Sequence, residues 1–508
     1  MTTDGKMADI TCPADTSPRP APTGAPGARK PVLDHGQYLY SAGMRNVVVP
    51  TSTYDCTWLL EDGSHTGQLI LEPGQAAQGQ VYSNLGRRLE GEDSECFDWE
   101  PTEHDRLAGE LAGGQQVLLI DVLRAPGSLE AGELFPRLAL VGRFPAGDDP
   151  LFEAVRFQVG GLSELAGVPA LSGVGFPREP ERSFSATVHP HAAQTWKCSS
   201  GERISLEFEV SQTTDLKFSM TVTSQPVVEV TGTARTAEQW VDDFIRPLAE
   251  LAAFATGRRQ DVEWVVLRPE HAGERFTTQL FAAGISQMPY LAERPADRRQ
   301  PLLLRLGPDG ADLAVLLGRW RALTEEHEVL HQHLVTAARQ AQSTTARFMS
   351  VVPALEAYHG RTHGKLPRAQ FRQQRRQVLE RLGAAEVGPE DYEWVATWLP
   401  ETGDRALHVR LRELVEGLPD GIRHRIETAI EPLPEVLHGI QQTPLGIWHV
   451  LAKVRNNLAH GGDRPRPGQV QLLCRLADTL AAALVLRDLG VSEDLLLQAV
   501  DDSRWKVS

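Results

Sequence analysis

The chain has 508 residues, 41% of them hydrophobic and 23% charged; this is the balance of a folded protein, and the length is too great for one ordinary hydrophobic core. The formal net charge of −16 is the wrong sign for a bulk nucleic-acid binder, so any polyanion has to be met by a local patch. The five cysteines, at 12, 56, 96, 198 and 474, are odd in number and form no C-x2-C pair, which argues against a disulfide scaffold or a structural zinc site and for a reducing, cytoplasmic setting.

Residues 1–35 are rich in Pro, Ala, Thr and Gly and read as a disordered tail; Met1–Val32 contains no apolar segment of the signal-peptide kind. Residues 36–310 read as a β-rich antiparallel domain, sandwich- or barrel-like. Its strongest signal is a hairpin, with Ile204, Leu206, Phe208 and Val210 alternating with polar residues, then a polar turn, then Leu216, Phe218, Met220 and Val222. Weaker strands are expected at 57–60, 68–71, 117–122, 138–141, 155–159, 184–188, 227–230 and 262–267. A helix over 236–255 carries Trp240, Phe244, Leu248 and Leu251 on one stripe.

From 311 to 508 the period becomes helical, and the spacing predicts helices over 312–342, 345–360, 367–383, 404–417, 421–441, 444–459 and 468–488. The longest apolar run near the C-terminus, Leu480–Leu486, is well short of the roughly 18 residues that cross a bilayer, so no membrane span is expected. Charge is segregated. An acidic block holds Glu90, Glu92, Asp93, Glu95, Asp98, Glu100 and Glu103; a basic one holds Arg361, Lys365, Arg368, Arg372, Arg375, Arg376 and Arg381. A solvated helix face accounts for the basic block as well as an RNA guide does.

One string carries chemistry: Lys453-Val454-Arg455-Asn456-Asn457-Leu458-Ala459-His460-Gly461-Gly462. The glycines stop a helix, and Pro465 and Pro467 prevent its continuation. On an ideal helix Asn456 and His460 share a face, whereas Arg455 and His460 lie about 140° apart. His460 is therefore expected at a frayed end, where it turns toward the arginine or toward a second chain. Histidine can move a proton on or off a ribose hydroxyl, arginine matches a phosphate whose charge grows, and asparagine can orient either. Spacing alone is weak: Arg29/His35, Arg182/His189 and Arg321/His327 are similarly spaced. Arg29/His35 lies in the expected tail, Arg182/His189 lies in strand-like sequence, and Arg321/His327 has Ala322 after its arginine; of the pairs on a predicted helix, only Arg455/His460 has a polar residue after the arginine and a glycine after the histidine.

This string resembles the signature of HEPN domains: arginine, a polar residue, several others, then histidine. A second stretch, Arg347–His359, resembles the first-helix motif of the ApeA-like HEPN subgroup, and the region from about Trp58 to Leu267 resembles the N-terminal domain that accompanies it. The resemblance implies an all-α HEPN bundle after the β-rich domain. It also implies a metal-independent endoribonuclease without a cofactor, commonly a homodimer, acting on cellular RNA such as tRNA in anti-phage defence by shutdown of the infected cell; a phage-derived trigger that releases the enzyme is a separate expectation, motivated by the acidic block at 90–103. Carried over by position, Arg455, Asn456 and His460 are the catalytic set and Glu356 the acidic position of the first helix, able to pair with Arg455 and position it. His359 is a supporting residue, or simply a cap of its helix. Lys453, Arg464, Arg466, Arg368, Arg372, Arg375 and Arg376 are candidate RNA contacts. The rival readings are an RNA- or nucleotide-binding module without cleavage and a dimerising interaction module. The acidic block at 90–103 could mask the basic helix.

Overall fold

The computed structural model describes most of residues 52–501; residues 1–51, 168–193, 286–302, 431–445 and 502–508, with shorter interruptions, lie outside the described residues. The expected tail, the strand at 184–188, most of the acidic block and the last part of the 421–441 helix therefore fall outside them.

The N-terminal strands are β1 (Ser52–Leu60), β2 (Gly63–Leu71), β3 (Gln78–Val81), the short β4 (Arg87–Arg88) and β5 (Phe97–Asp98), β6 (Thr102–Leu111), β7 (Gln116–Ser128) and β8 (Ala131–Gly142). Strands β8, β3, β2, β1, β6 and β7 pair in that order, and β7 pairs back onto β8, so six antiparallel strands close a barrel. Alternation builds its interior: Cys56 and Trp58 point inward while Thr57 and Leu59 face out. The Trp58 indole fills the middle and donates from Nε1 to the Gln80 carbonyl at 2.8 Å. Glycines make room for it. A Cβ on Gly67 would come within 2.6 Å of Trp58 Nε1, and one on Gly109 within 2.7 Å of Trp58 Cε3. Leu69, Val81, Leu119 and Leu134, with Phe281 from 278–282 beyond the barrel strands, complete a core separate from the main one.

The same sheet continues beyond β8 as an open layer. Its further strands are β9 (Phe152–Val159), β10 (Gln194–Lys197), β11 (Arg203–Asp215), β12 (Ser219–Arg235), β13 (Val262–Pro269) and β14 (Thr278–Ala282), in the spatial order β8-β14-β13-β9-β12-β11-β10. The expected hairpin is present but longer. The polar run 211–215, read as its turn, continues β11, and Asp215 pairs with Ser219. Strand pairing satisfies the backbone of that run whatever its side chains, and the connection falls at 216–218, outside the described residues.

A short helix α1 (Leu162–Ala166) follows β9. After β12 the helix expected over 236–255 forms as α2 (Ala237–Trp240), a π-helical turn (Val241–Ile245) and α3 (Arg246–Thr256). Thr236 caps it, its hydroxyl accepting from the Gln239 N–H, with the reciprocal bond from the Thr236 N–H to Gln239 Oε1. Asp243 in the π turn holds Arg235 and, at 2.7 Å, Arg321.

The helical region comprises α4 (Leu313–Glu326), α5 (Glu328–Arg339), α6 (Thr344–Thr362), α7 (Arg368–Ala384), α8 (Pro389–Trp398), α9 (Leu407–Glu416), α10 (Asp420–Ile430), α11 (Ile447–His460), α12 (Pro467–Asp488) and α13 (Glu493–Asp501). The single helix expected over 312–342 is two, because His327 leaves the helical region at φ −133°. The short apolar run Leu480–Leu486 belongs to the longer helix α12. By length and composition that helix could span a bilayer, with a mean hydropathy of 1.4 over its window, but 83% of that window is buried inside the protein. It is packed as a central helix, chiefly on α6. One hydrophobic core runs unbroken from Phe152 and Phe157 of the open sheet through Trp240 and Leu248 to Trp320, Phe348 and Leu484.

Candidate functional site

Helix α11 buries Ile447, Val450, Leu451 and Val454, a 3.6-period stripe facing α6 and α9. That fixes its rotation and puts Arg455 at the edge of the packed face. Arg455 Nη2 donates to Glu356 Oε2 on α6 at 3.2 Å, and Nη1 to Asn456 Oδ1 at 3.1 Å. The other oxygen of Glu356 lies 3.7 Å from Nη1 of Arg410 on α9. Two guanidinium groups thus share one carboxylate, leaving a net positive charge. All three side chains are roughly three-quarters covered, at 21–28% exposure, so the pairs are less screened than exposed ones.

His460 is the last helical residue and is exposed. Gly461 caps the helix at φ 72°, its N–H meeting the Asn457 carbonyl, and the Gly462 N–H reaches the same oxygen at 2.8 Å. The helix is therefore intact through His460 rather than frayed. Among the described residues no hydrogen bond joins His460 to Arg455. Asn456, exposed, shares the His460 face, as does exposed Lys453.

One turn on from Glu356, His359 is buried at 2% exposure and meets Glu413 of α9 through Nε2 at 2.7 Å. Arg405 also donates to that Glu413 oxygen. Burial holds His359 below the usual imidazole range despite this bond. Burial opposes the Glu413 carboxylate as well, yet its bonds from His359 and Arg405 prevail and hold it low. Both directions describe a neutral imidazole donating to an anion. His359 thus ties α6 to α9 and, being buried, has no open face for substrate.

Sequence reasoning missed what α9 contributes. Arg410 and Glu413 repeat the three-residue spacing of Glu356 and His359, and the two pairs face each other across the helices. His408 of α9 stacks on His449 of α11, ring centroids 3.4 Å apart. Burial, then the neighbouring His449, keeps His408 below its usual range. His449, Asn456 and His460 recur at helical spacing on one face of α11, so this histidine pair extends the same surface.

The expected RNA contacts are dispersed. Arg372 and Arg376 are exposed on α7, while Arg375 Nη2 donates to the Ala396 carbonyl of α8 at 2.8 Å. The chief packing partner of α7 is α8, which carries Trp394 at 65% exposure. Arg466 is exposed before α12; Arg464 and the Arg368 side chain lie outside the described residues. Among the described residues no group of three or more His, Cys, Asp or Glu side chains is placed to hold a metal ion.

Fold and site define a two-part protein, a barrel-and-sheet region joined through one core to a helical region that presents an arginine–histidine helix end. Residues 56–303 match the family model described as ApeA N-terminal domain 1. That stretch belongs to this domain family, which is consistent with an ApeA-like anti-phage protein. No curated protein and no solved structure gives a significant match.

Proposed function

We propose that the chain is a metal-independent HEPN-type endoribonuclease of anti-phage defence, active in the cytoplasm on cellular RNA such as tRNA. The observation that carries this reading is the Arg455–Glu356–Arg410 arrangement, with Arg455 on the helix whose exposed last residue is His460. A surplus cation is fixed in place, and a titratable group is left open to substrate.

In the proposed reaction the RNA 2′-oxygen attacks the adjacent phosphorus and the P–O5′ bond breaks. The products are a 2′,3′-cyclic phosphate and a 5′-hydroxyl. Arg455 offers its guanidinium to the phosphate oxygens as their charge grows. Asn456 orients that guanidinium through the bond it already accepts. Two protons move, one off the 2′-hydroxyl and one onto the leaving 5′-oxygen, and His460 handles one of them. A second copy of the chain, bringing its own His460, would handle the other, which is the reason to expect a homodimer. DNA lacks the nucleophile and is not cut.

The experiment is incubation of the full chain with total cellular RNA in EDTA, beside His460→Ala. We expect 5′-hydroxyl fragments from the wild type, a loss of about 10²–10⁴-fold in the variant, and stability changed by less than about 0.5 kcal/mol. Equal cleavage by both would remove the site. A second reading, RNA or nucleotide binding without cleavage, is favoured by one fact: Glu356 already engages Arg455. Retained RNA affinity with no fragments, in the presence of infected-cell extract, would select it.

A further inference from the structure

Away from the α11 surface, the end of α3 and Leu303 meet α5, α6 and α12 around a pocket of about 290 Å³. That is near the lower bound of the roughly 300–1,000 Å³ found for small-molecule sites. Phe254, Leu303, Leu334 and Ala482 give it apolar walls, and Arg347, Arg475 and Gln342 supply polar ones.

Most of the polar groups here are already matched. Arg347 Nε lies 2.7 Å from Asp478 Oδ2. Asp478 also faces His333 Nε2 at 3.3 Å and Cys474 Sγ at 3.8 Å, and His333 Nδ1 meets Ser350 Oγ at 2.6 Å. Serine, histidine and aspartate thus stand in catalytic order, yet they form a frame. Ser350 sits inside α6, where backbone N–H groups are spent on the helix and none can hold an oxyanion, and its hydroxyl donates to the Arg347 carbonyl at 3.2 Å. Burial pushes the Cys474 thiol up to about 12, so it is no nucleophile.

Two groups are left over. Arg475 is half-buried and has no carboxylate partner among the described residues. Gln342 Oε1 is enclosed, with no hydrogen-bond partner among the described residues. An unmatched buried acceptor is unfavourable, and an unneutralised cation over an apolar wall favours an anion. The pocket's formal charge is positive, two arginines against Asp478.

We propose that this pocket binds a small anionic ligand of the mononucleotide class. Arg475 takes the phosphate, the apolar walls take the flat ring, and a ring amino group donates to Gln342 Oε1. The volume admits one such unit. Leu303 ends the stretch that matches the ApeA domain. Arg347 of the pocket and Glu356 of the α11 surface share α6, about 13 Å apart along its axis. Occupancy therefore acts on the helix that holds Arg455.

Binding is measured without reference to cleavage. The full chain is titrated calorimetrically with AMP, GMP, CMP and UMP, and with adenosine and inorganic phosphate as half-ligands. We expect at least one monophosphate to bind one per chain, with each half-ligand at least about tenfold weaker. Arg475→Glu removes this binding and Arg475→Lys retains it. The double variant Arg455→Ala/His460→Ala also retains it, which separates the pocket from any nucleotide held at the α11 surface. Binding by no monophosphate, binding unchanged in Arg475→Glu, binding lost with the double variant, or inorganic phosphate binding as tightly as every nucleotide would each overturn the proposal.

Discussion

The barrel and the open layer are made from one sheet but are finished differently. The barrel closes on itself around a separate core centred on Trp58, to which β14 adds Phe281. The open layer leaves a face that α3 covers, and its core runs on through Trp320 into α6 and α12. Damage in the barrel should stay there, whereas damage in the open layer shares packing with the helices that hold Arg455.

The largest test of that contrast is Trp58→Ala. The indole is fully buried and the surrounding glycines cannot fill its space, so the cost should be about 3–5 kcal/mol. Denaturant unfolding followed by hydrogen exchange should show the loss in β1, β2 and β6. Comparable loss of protection in α6 would break the comparison.

Glu356→Gln comes next. It removes the anion shared by Arg455 and Arg410, and the expected cost is about 1–3 kcal/mol, read as loosened exchange in α6 and α11 with the barrel unmoved. Any RNA cleavage should fall more than stability alone explains, because Arg455 loses its anchor. Stability falling with no change at Arg455, by side-chain nitrogen NMR, would make the pair purely structural.

Within the shared core, the open layer and the helices should respond oppositely to pH. Glu263 on β13 has an enclosed Oε1 with no partner among the described residues, and burial pushes its carboxyl from 4.5 up to about 7. A raised carboxyl contributes stability below its unfolded value, and this is lost as pH climbs through about 7. His359 and His408 are held below 6.5 mainly by burial. A depressed imidazole contributes stability above 6.5, and this is lost as pH falls through the lower folded value. Exchange should thus rise in α6 and α9 as pH falls below 6.5, and in β13 and β9 as pH climbs from 4.5 through about 7. Glu263→Gln should flatten only the second of these rises.

The smallest expected effect is Trp394→Ser. The ring is mostly exposed, so stability should change by less than about 0.5 kcal/mol. If α7 and α8 guide RNA, affinity for single strands should drop by about 1–3 kcal/mol, the worth of one stacked base. No change in affinity would reduce the basic helix to a solvated face.

Much of this architecture was legible where one residue's neighbours in sequence are also its neighbours in space. The β11–β12 alternation and the α11 stripe with its glycine stop are of that kind. Strand β6 was invisible because Thr102–Arg106 is polar throughout and only Leu107 and Leu111 are large and apolar; Gly109 lies between them because Trp58, far off in sequence, needs the space. The same limit applied at the site. The string from Arg455 to His460 stands out, and Glu356 suggests itself as a partner. Arg410 and His408 come from a helix whose role depends on how α9 is packed, and the one available hint was the matching three-residue spacing of Arg410 and Glu413.

Strand β8 gives the molecule its grammar. Its far end, Leu138–Gly142, bonds β7 on one side and β14 on the other, while its near end serves β3. It is both the last stave of the barrel and the first rung of the open layer. The barrel cannot be lifted out as a cassette without leaving β14 with an unpaired edge, the kind that recruits foreign strands. Exchange of this module between related chains would have to carry β8 and β14 together, so recombination points should fall outside that pair.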